Sequence, residues 1–230
     1  MVEAVANGVP SAWATRDWLT RAFVVFWFFV LEVFLAWRLV AAIHATHTYD
    51  ALGLARLVAD ACLFLFVAMM VGLTILREPP RLQAAGVWPR IAAVIGTNIL
   101  VIGIFVLPAP RPLGMYQSVA SAVLILTGNL LCVVVLRRLG RSFSIMAEAR
   151  TLVTDGPYAI VRHPLYLVEE LACVGAFIHV VSWSAALLYA VHFGFQVQRM
   201  VNEERVLLRA FPRQYSAYAA RTARLIPGIW

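Results

Sequence analysis

The sequence predicts an all-α fold: a polytopic membrane helix bundle with four full spans plus a helical hairpin, about six membrane helices in all. Three observations predict it. The 230-residue chain is 62% hydrophobic, with a mean hydropathy of +0.82. Only 13% of its residues are charged, where a soluble chain carries roughly 25%. Four apolar runs have the length, about 20 residues, that a helix needs to cross a bilayer.

The first run covers residues 21–43 and follows Glu3, Arg16, Asp17 and Arg21. It is long enough to span, so it reads as a retained helix and not as a cleaved signal. The second covers 57–76, the third 91–107, closed by Pro108 and Pro110, and the fourth 115–136. Proline removes a backbone donor and stops a helix. A further apolar stretch, 165–197, is too long for one helix and too short for two full spans with a loop. Ser182, Trp183 and Ser184 near its middle predict a tight hairpin over 164–198, tilted or only partly crossing. The chain therefore divides into amino-terminal transmembrane helices, 1–136, and a second region, 137–230, that holds the hairpin and an interfacial helix after it.

All 19 basic residues are arginine and the net charge is +7. With the amino terminus inside and the hairpin counted as two spans, sixteen arginines fall on one side and only Arg56 and Arg111 on the other. Arginine excess marks the cytoplasmic side, so both termini are expected there, in a membrane that the Lys-free, Ala- and Arg-rich composition hints is bacterial. The same placement explains the basic charge through topology and argues against nucleic-acid binding. Cys62, Cys132 and Cys173 lie singly in apolar runs, so neither a disulfide nor a metal site is expected; the five histidines show no ligand spacing either. Arg38 and Asp60 either snorkel to the interface, pair with each other, or serve a function within the membrane. Glu32 lies deeper in the first span, and its reading stays open between a structural and a functional carboxylate.

After Leu136 the chain changes character. It reads Leu139-Gly140-Arg141-Ser142-Phe143-Ser144, then Thr151-Leu152-Val153-Thr154-Asp155-Gly156-Pro157-Tyr158, then Arg162-His163-Pro164-Leu165-Tyr166. These are loops with short helical pieces at the membrane surface. Pro164 suits a first helical turn, which leaves His163 at a helix start, where amides and dipole favour an anion; His163 could equally just cap the helix. Glu169 and Glu170 sit inside an apolar helix, so at least one must face the bundle interior or find a partner. Beyond the hairpin, Arg199 and Glu203 are four apart and share a helix face. Glu203 and Glu204 are adjacent, so they point apart and are not a catalytic carboxylate pair. Phe211, Tyr215, Tyr218, Thr222 and Leu225 follow a 4-3-4-3 spacing opposite Arg213, Arg221 and Arg224. That is an amphipathic helix, either lying on an anionic leaflet or roofing a site.

Taken in order, the Leu-Val-Thr-x-Gly-Pro-Tyr loop, Arg-His-Pro-x-Tyr, the Glu-Glu string and Tyr-x-x-Tyr before the terminal Pro-Gly resemble the isoprenylcysteine carboxyl methyltransferase family, and more distantly the phospholipid methyltransferases. The resemblance covers about residues 139–228. It implies a membrane enzyme with S-adenosylmethionine in a cytoplasmic pocket between loop, hairpin and terminal helix, acting on a lipophilic substrate. It implies cofactor contacts at Arg150, Thr151, Leu152, Val153, Tyr158, His163, Pro164, Leu165, Tyr166 and Glu203, with Arg199 facing the acceptor, and catalytic roles for His163, Arg199 and Glu203. Where the eukaryotic members have His-Thr-Leu-Val, this chain has Arg150-Thr151-Leu152-Val153, and where they have a glutamine upstream it has Phe143 or Ser144.

Methyl transfer is an in-line displacement, mainly a positioning task. A carboxylate acceptor is ionised at neutral pH and needs no base; a thiol or amine would need one, from His163 or a glutamate. Two other readings of the same layout are an NADPH-dependent sterol or steroid reductase and a non-catalytic membrane module or transporter.

Overall fold

The structure is a computed structural model that describes residues 11–45, 51–106 and 113–229. Pro108, Pro110 and Arg111 lie outside the described residues. The described residues are mostly helical, 77% of them. Its elements are α1 (Ser11–Ala45), α2 (Ala51–Leu76), β1 (Leu82–Gln83), α3 (Trp88–Val106), α4 (Met115–Leu139), β2 (Glu148–Ala149), α5 (Pro164–Phe177), α6 (Trp183–Ala210) and α7 (Pro212–Ala219), with short 3₁₀ turns at Gly140–Ser142, Gly156–Ala159 and Ile178–Val180.

Among the described residues, three segments are long and apolar enough to cross a membrane: Trp18–His44, Leu57–Leu76 and Met115–Ser142. α1 exposes Phe23, Phe26, Phe29, Phe34 and Trp37, the surface that a lipid-facing helix presents. Successive long helices run in opposite directions. Arg21, near the start of α1, donates to the Ile75 carbonyl at the end of α2 at 2.7 Å. One face of the bundle thus carries the ends of α2, α4 and α6, and is called the near face below.

α1 packs on α2, α2 on α4, α4 on α5, and α3 on α6. Small residues set the α4–α5 approach: a Cβ on Gly128 would lie 2.6 Å from the Ala172 nitrogen, and one on Gly175 would lie 2.8 Å from Ile125 Cγ1. Without hydrophobic gain between helices in lipid, close backbone contact is what such residues provide. Phe28, Val67, Met70, Ala93 and Leu136 form the main core, and the loop residues Phe143 and Ile145 plug its near end.

Three features depart from expectation. The all-α expectation meets a two-residue antiparallel ladder that pairs Leu82 with Ala149 and Gln83 with Glu148. The hairpin is not tight. α5 has 14 residues and α6 has 28; at 1.5 Å per residue α5 is about 21 Å long, short of the ~30 Å hydrocarbon core. α6 continues past 198 to Ala210, because nothing breaks it before Pro212. Its arm also stands off from α5, so that side chains and not backbones bridge the two. Lastly, the terminal helix is α7 alone, eight residues ending at Ala219. Thr222 and Leu225 are buried, but by an extended segment in which the Arg162 and His163 amides donate to the carbonyls of Ala223 (2.8 Å) and Arg224 (3.1 Å). Of the two roles open for this region, the structure gives it that of a wall folded back on the start of α5.

Candidate active site

Between α5 and α6, and closed on other sides by α1–α4, lies a cavity of about 930 Å³. At the near face its wall includes Thr151, Leu152, Val153, Tyr158, His163, Leu165, Tyr166, Arg199 and Glu203. Deeper, the wall is mostly apolar, with Leu63, Phe66, Leu100, Ile125 and Phe177, and at the far end it meets Arg38 and Asp60. Those two residues do pair, loosely, at 3.8 Å. Glu32 is not part of the wall; its carboxylate oxygens are buried without a hydrogen-bond partner among the described residues.

Pro164 opens α5 as its first residue, and His163 stands just before it. His163 makes no side-chain cap; its ring is held from α6. Nε2 lies 3.1 Å from Glu204 Oε1 and Nδ1 lies 3.8 Å from Glu203 Oε2. The adjacent glutamates do point apart, into different partners. Glu203 accepts a short hydrogen bond from the Tyr166 hydroxyl. Glu204 accepts from Arg162 Nε at 3.0 Å and from Arg224 Nη2 at 2.8 Å. Arg162 also donates to the carbonyls of Ala219 and Thr222, both at 2.9 Å, so Glu204 and Arg162 clamp the terminal segment onto α5 and α6.

The two carboxyls differ electrically. Burial works against the charge of Glu204, but hydrogen bonds from His163 and Arg224 outweigh it and hold the carboxyl down at about 2. Burial raises Glu203 above the usual carboxylate range, against the pull of His163 and Arg199. One glutamate is a permanent anion in a structural clamp; the other faces the cavity.

Arg199 is 9% exposed. Its guanidinium stacks over the Tyr166 ring at 4.9 Å and donates through Nη1 to Gln196 Oε1 at 2.6 Å; Nε has no partner among the described residues. It does not bond Glu203, although the two share a helix face. Gly96 makes room for it: a Cβ there would lie 2.9 Å from Arg199 Cδ. A function for the amino-terminal spans thus emerges, since α3 seats a site residue of α6.

Of the residues expected to touch cofactor, all but Pro164 line this one cavity. Pro164 is buried beside it as the helix start. Arg150 reaches the wall, yet its guanidinium bonds the Glu78 carbonyl and the Glu148 carboxylate, each at 2.6 Å. Glu148 also receives Ser144 at 2.7 Å and the Arg77 guanidinium at 3.9 Å. Arg150 therefore ties the Thr151–Val153 loop to the ladder. Tyr158 is fixed by its carbonyl, which accepts from the Tyr218 hydroxyl at 2.6 Å.

Sequence reasoning missed the Glu204 clamp and a second polar cluster along the α5–α6 gap. Glu170 accepts from the Tyr189 hydroxyl at 2.7 Å and lies 2.9 Å from His192 Nε2. Glu169 is reached by Gln196 Nε2 at 3.4 Å. The signal was the need for partners around two glutamates in an apolar helix; the partners themselves lie 19 to 27 residues away, on another helix. Among the described residues no group of three His, Cys, Asp or Glu side chains is arranged to hold a metal ion.

Comparisons with known proteins bear on the same region. The family model of the isoprenylcysteine carboxyl methyltransferases matches residues 121–209. The protein-S-isoprenylcysteine O-methyltransferase of Schizosaccharomyces pombe is 35% identical over 121 residues, 50% of this chain and 51% of the relative. Protein-S-isoprenylcysteine O-methyltransferase B of Arabidopsis thaliana is 33% identical over 112 residues, 46% of this chain and 57% of the relative. The cobalt-zinc-cadmium resistance protein CzcN of Cupriavidus metallidurans is 35% identical over 80 residues, 34% of this chain and 37% of the relative. The matches span between 37% and 57% of these relatives. The matched stretch begins in α4 and ends in α6, and so contains the loop, His163, Tyr166, Arg199 and Glu203: over these residues this integral membrane chain is similar to the isoprenylcysteine carboxyl methyltransferases.

Proposed function

We propose that the chain is an S-adenosylmethionine-dependent methyltransferase acting on a lipophilic acceptor in a cell membrane, with both termini and the near face cytoplasmic and six helices embedded. The observation that carries this reading is the cavity itself. One end is lined by His163, Tyr166, Arg199 and Glu203 and the deeper wall is mostly apolar, a shape suited to a polar nucleoside at one end and an oily chain at the other.

The residues fit such a cofactor. Glu203, a carboxylate on the wall, suits its amino group. Arg199, whose Nε has no partner among the described residues, suits a carboxylate. The Thr151–Val153 backbone and the faces of Tyr158 and Tyr166 suit the nucleoside. The cofactor supplies a methyl group on a sulfonium. The chain's own work is positional: Tyr166 fixes Glu203, Gln196 fixes Arg199, and the Glu204 clamp fixes His163 against both. Water is kept out by α1–α4 and the terminal segment, which favours a step in which opposite charges are neutralised.

Calorimetry of the detergent-purified chain with S-adenosylhomocysteine tests the reading. Micromolar binding is expected, with binding lost in Glu203→Ala and in His163→Ala while both variants still insert. Unchanged affinity in both would overturn the site assignment.

A further inference from the structure

The gap between α5 and α6 holds its charges in a fixed order of depth. α5 runs away from the near face and α6 runs toward it, so lower numbers on α6 lie deeper. Glu203 is nearest the mouth, where it accepts from the Tyr166 hydroxyl. Arg199, four residues earlier, lies about 6 Å further in along the helix, with its guanidinium over the Tyr166 ring. Glu169 follows Tyr166 by three residues, on the same side of α5 and about 4.5 Å deeper than that ring's own position. It stands opposite Gln196. All three charged residues line the cavity. From the mouth inward the wall therefore reads anion, cation, anion.

The inner anion is the least satisfied of the three. Among the described residues the Glu169 carboxylate has one polar contact, Gln196 Nε2 at 3.4 Å, at the long end of hydrogen-bonding range. The other end of the same amide accepts from Arg199 at 2.6 Å. Gln196 thus stands between carboxylate and guanidinium and keeps them from pairing. Its neighbour on α5 is the opposite case: Tyr189 and His192 occupy the two oxygens of Glu170 at 2.7 and 2.9 Å. A carboxylate in a water-poor gap with no cation against it is costly. A positive charge brought in by a ligand offsets that cost.

S-adenosylmethionine carries three charges: an ammonium and a carboxylate on one carbon, then a sulfonium beyond a link of two methylenes. Resting on the methyltransferase reading above, which gives the ammonium to Glu203 and the carboxylate to Arg199, we propose that Glu169 is the counter-ion of the sulfonium. The cofactor's order of charges is then the complement of the wall's, and its net single positive charge meets the row's net single negative one. The assignment makes the site selective. S-adenosylhomocysteine has a neutral thioether in place of the sulfonium, so it leaves Glu169 without a partner while Glu203 and Arg199 keep theirs. The charged donor is held more tightly than the spent product, and the difference is larger in a dry gap than in water.

The test is calorimetry on the full chain in nanodiscs with two ligands that do not react. One is S-adenosylhomocysteine. The other is sinefungin, which carries an amino group, protonated at neutral pH, in place of the sulfonium methyl. Sinefungin is expected to bind about tenfold tighter, the worth of one charge-assisted contact. Glu169→Gln is expected to bring the two affinities within about twofold, by weakening sinefungin alone. Glu169→Asp keeps the charge and is expected to keep part of the preference. Glu203→Gln is expected to weaken both ligands alike, because both carry the same α-amino group. Equal affinities in the unmutated chain, a preference that survives Glu169→Gln, a Glu169→Gln loss shared equally by both ligands, or a preference lost in Glu203→Gln instead would each overturn the proposal and leave the methyltransferase reading standing. Failure of the unmutated chain to bind either ligand overturns both.

Discussion

His163 stands between two glutamates that do different things, and their separation is measurable by pH. Glu204 is held at about 2 in the fold against 4.5 for the free group. A carboxyl depressed by folding contributes stability that is complete above the unfolded value and is lost as pH falls through the folded one. The thermal midpoint of the purified protein is therefore expected to fall between about pH 4.5 and about pH 2, with up to ~3 kcal/mol at stake. Glu204→Gln should already be less stable at pH 7 and should show a flatter acid limb; an unchanged limb would remove the clamp from the account. At this scale the sequence was legible where a side chain sits in a local pattern. Arg199 and Glu203 could be put on one helix face from their four-residue spacing, while the family resemblance, not spacing, implied that they and Tyr166 belong to one site. Glu204 could not be placed. Adjacency correctly put it off the Glu203 face, but only the return of the terminal segment brings Arg162 and Arg224 to it. Arg150 was equally opaque, because its partners are the Glu78 carbonyl, in the link after α2, and Glu148, in a ladder too short to leave a periodic signal.

Helix boundaries were read well where composition changes sharply and poorly where it does not. The second span was expected at 57–76, and the apolar segment of α2 is Leu57–Leu76. α6 outran its expected end because its polar half is as good a helix former as its apolar half. The 4-3-4-3 aromatic spacing outlived the helix it implied, since Thr222 and Leu225 are buried by backbone pairing to α5's start and not by helical periodicity. The α4–α5 seam offers the clearest test of packing. Gly128→Val drives a side chain into Ala172, at a cost of about 1–3 kcal/mol, so its melting temperature in detergent should drop. Gly194→Ala, where a Cβ meets nothing within 4 Å, should leave the melting temperature unchanged or raise it, with a stabilisation of up to about 1 kcal/mol. Equal effects would mean that the seam is not what holds α5 in place.

For the molecule as a whole, the amino-terminal helices are not a mere anchor. They wall the cavity, supply Gly96 beneath Arg199, and make the sleeve apolar. Segment order was enough to anticipate a bundle that brings the 139–163 loop and the end of α6 to one face; the splay of α5 from α6, bridged by buried polar contacts, is something no hydropathy pattern encodes. The orientation is open to direct test. Cysteines introduced at Gly86 and Ser216, both on the near face, should react with an impermeant maleimide only from the cytoplasmic side, and one at Ser184 only from the opposite side; the reverse pattern would invert the topology. The central claim is that His163 and Glu203 bound a nucleoside site that opens into an oily sleeve. An electron cryomicroscopy map of the chain with S-adenosylhomocysteine tests it most directly. Density for the nucleoside against His163, Tyr166 and Glu203, with its sulfur facing the apolar sleeve, is the expected result. Ligand density elsewhere, or His163 and Glu203 apart with no cavity between them, would contradict it.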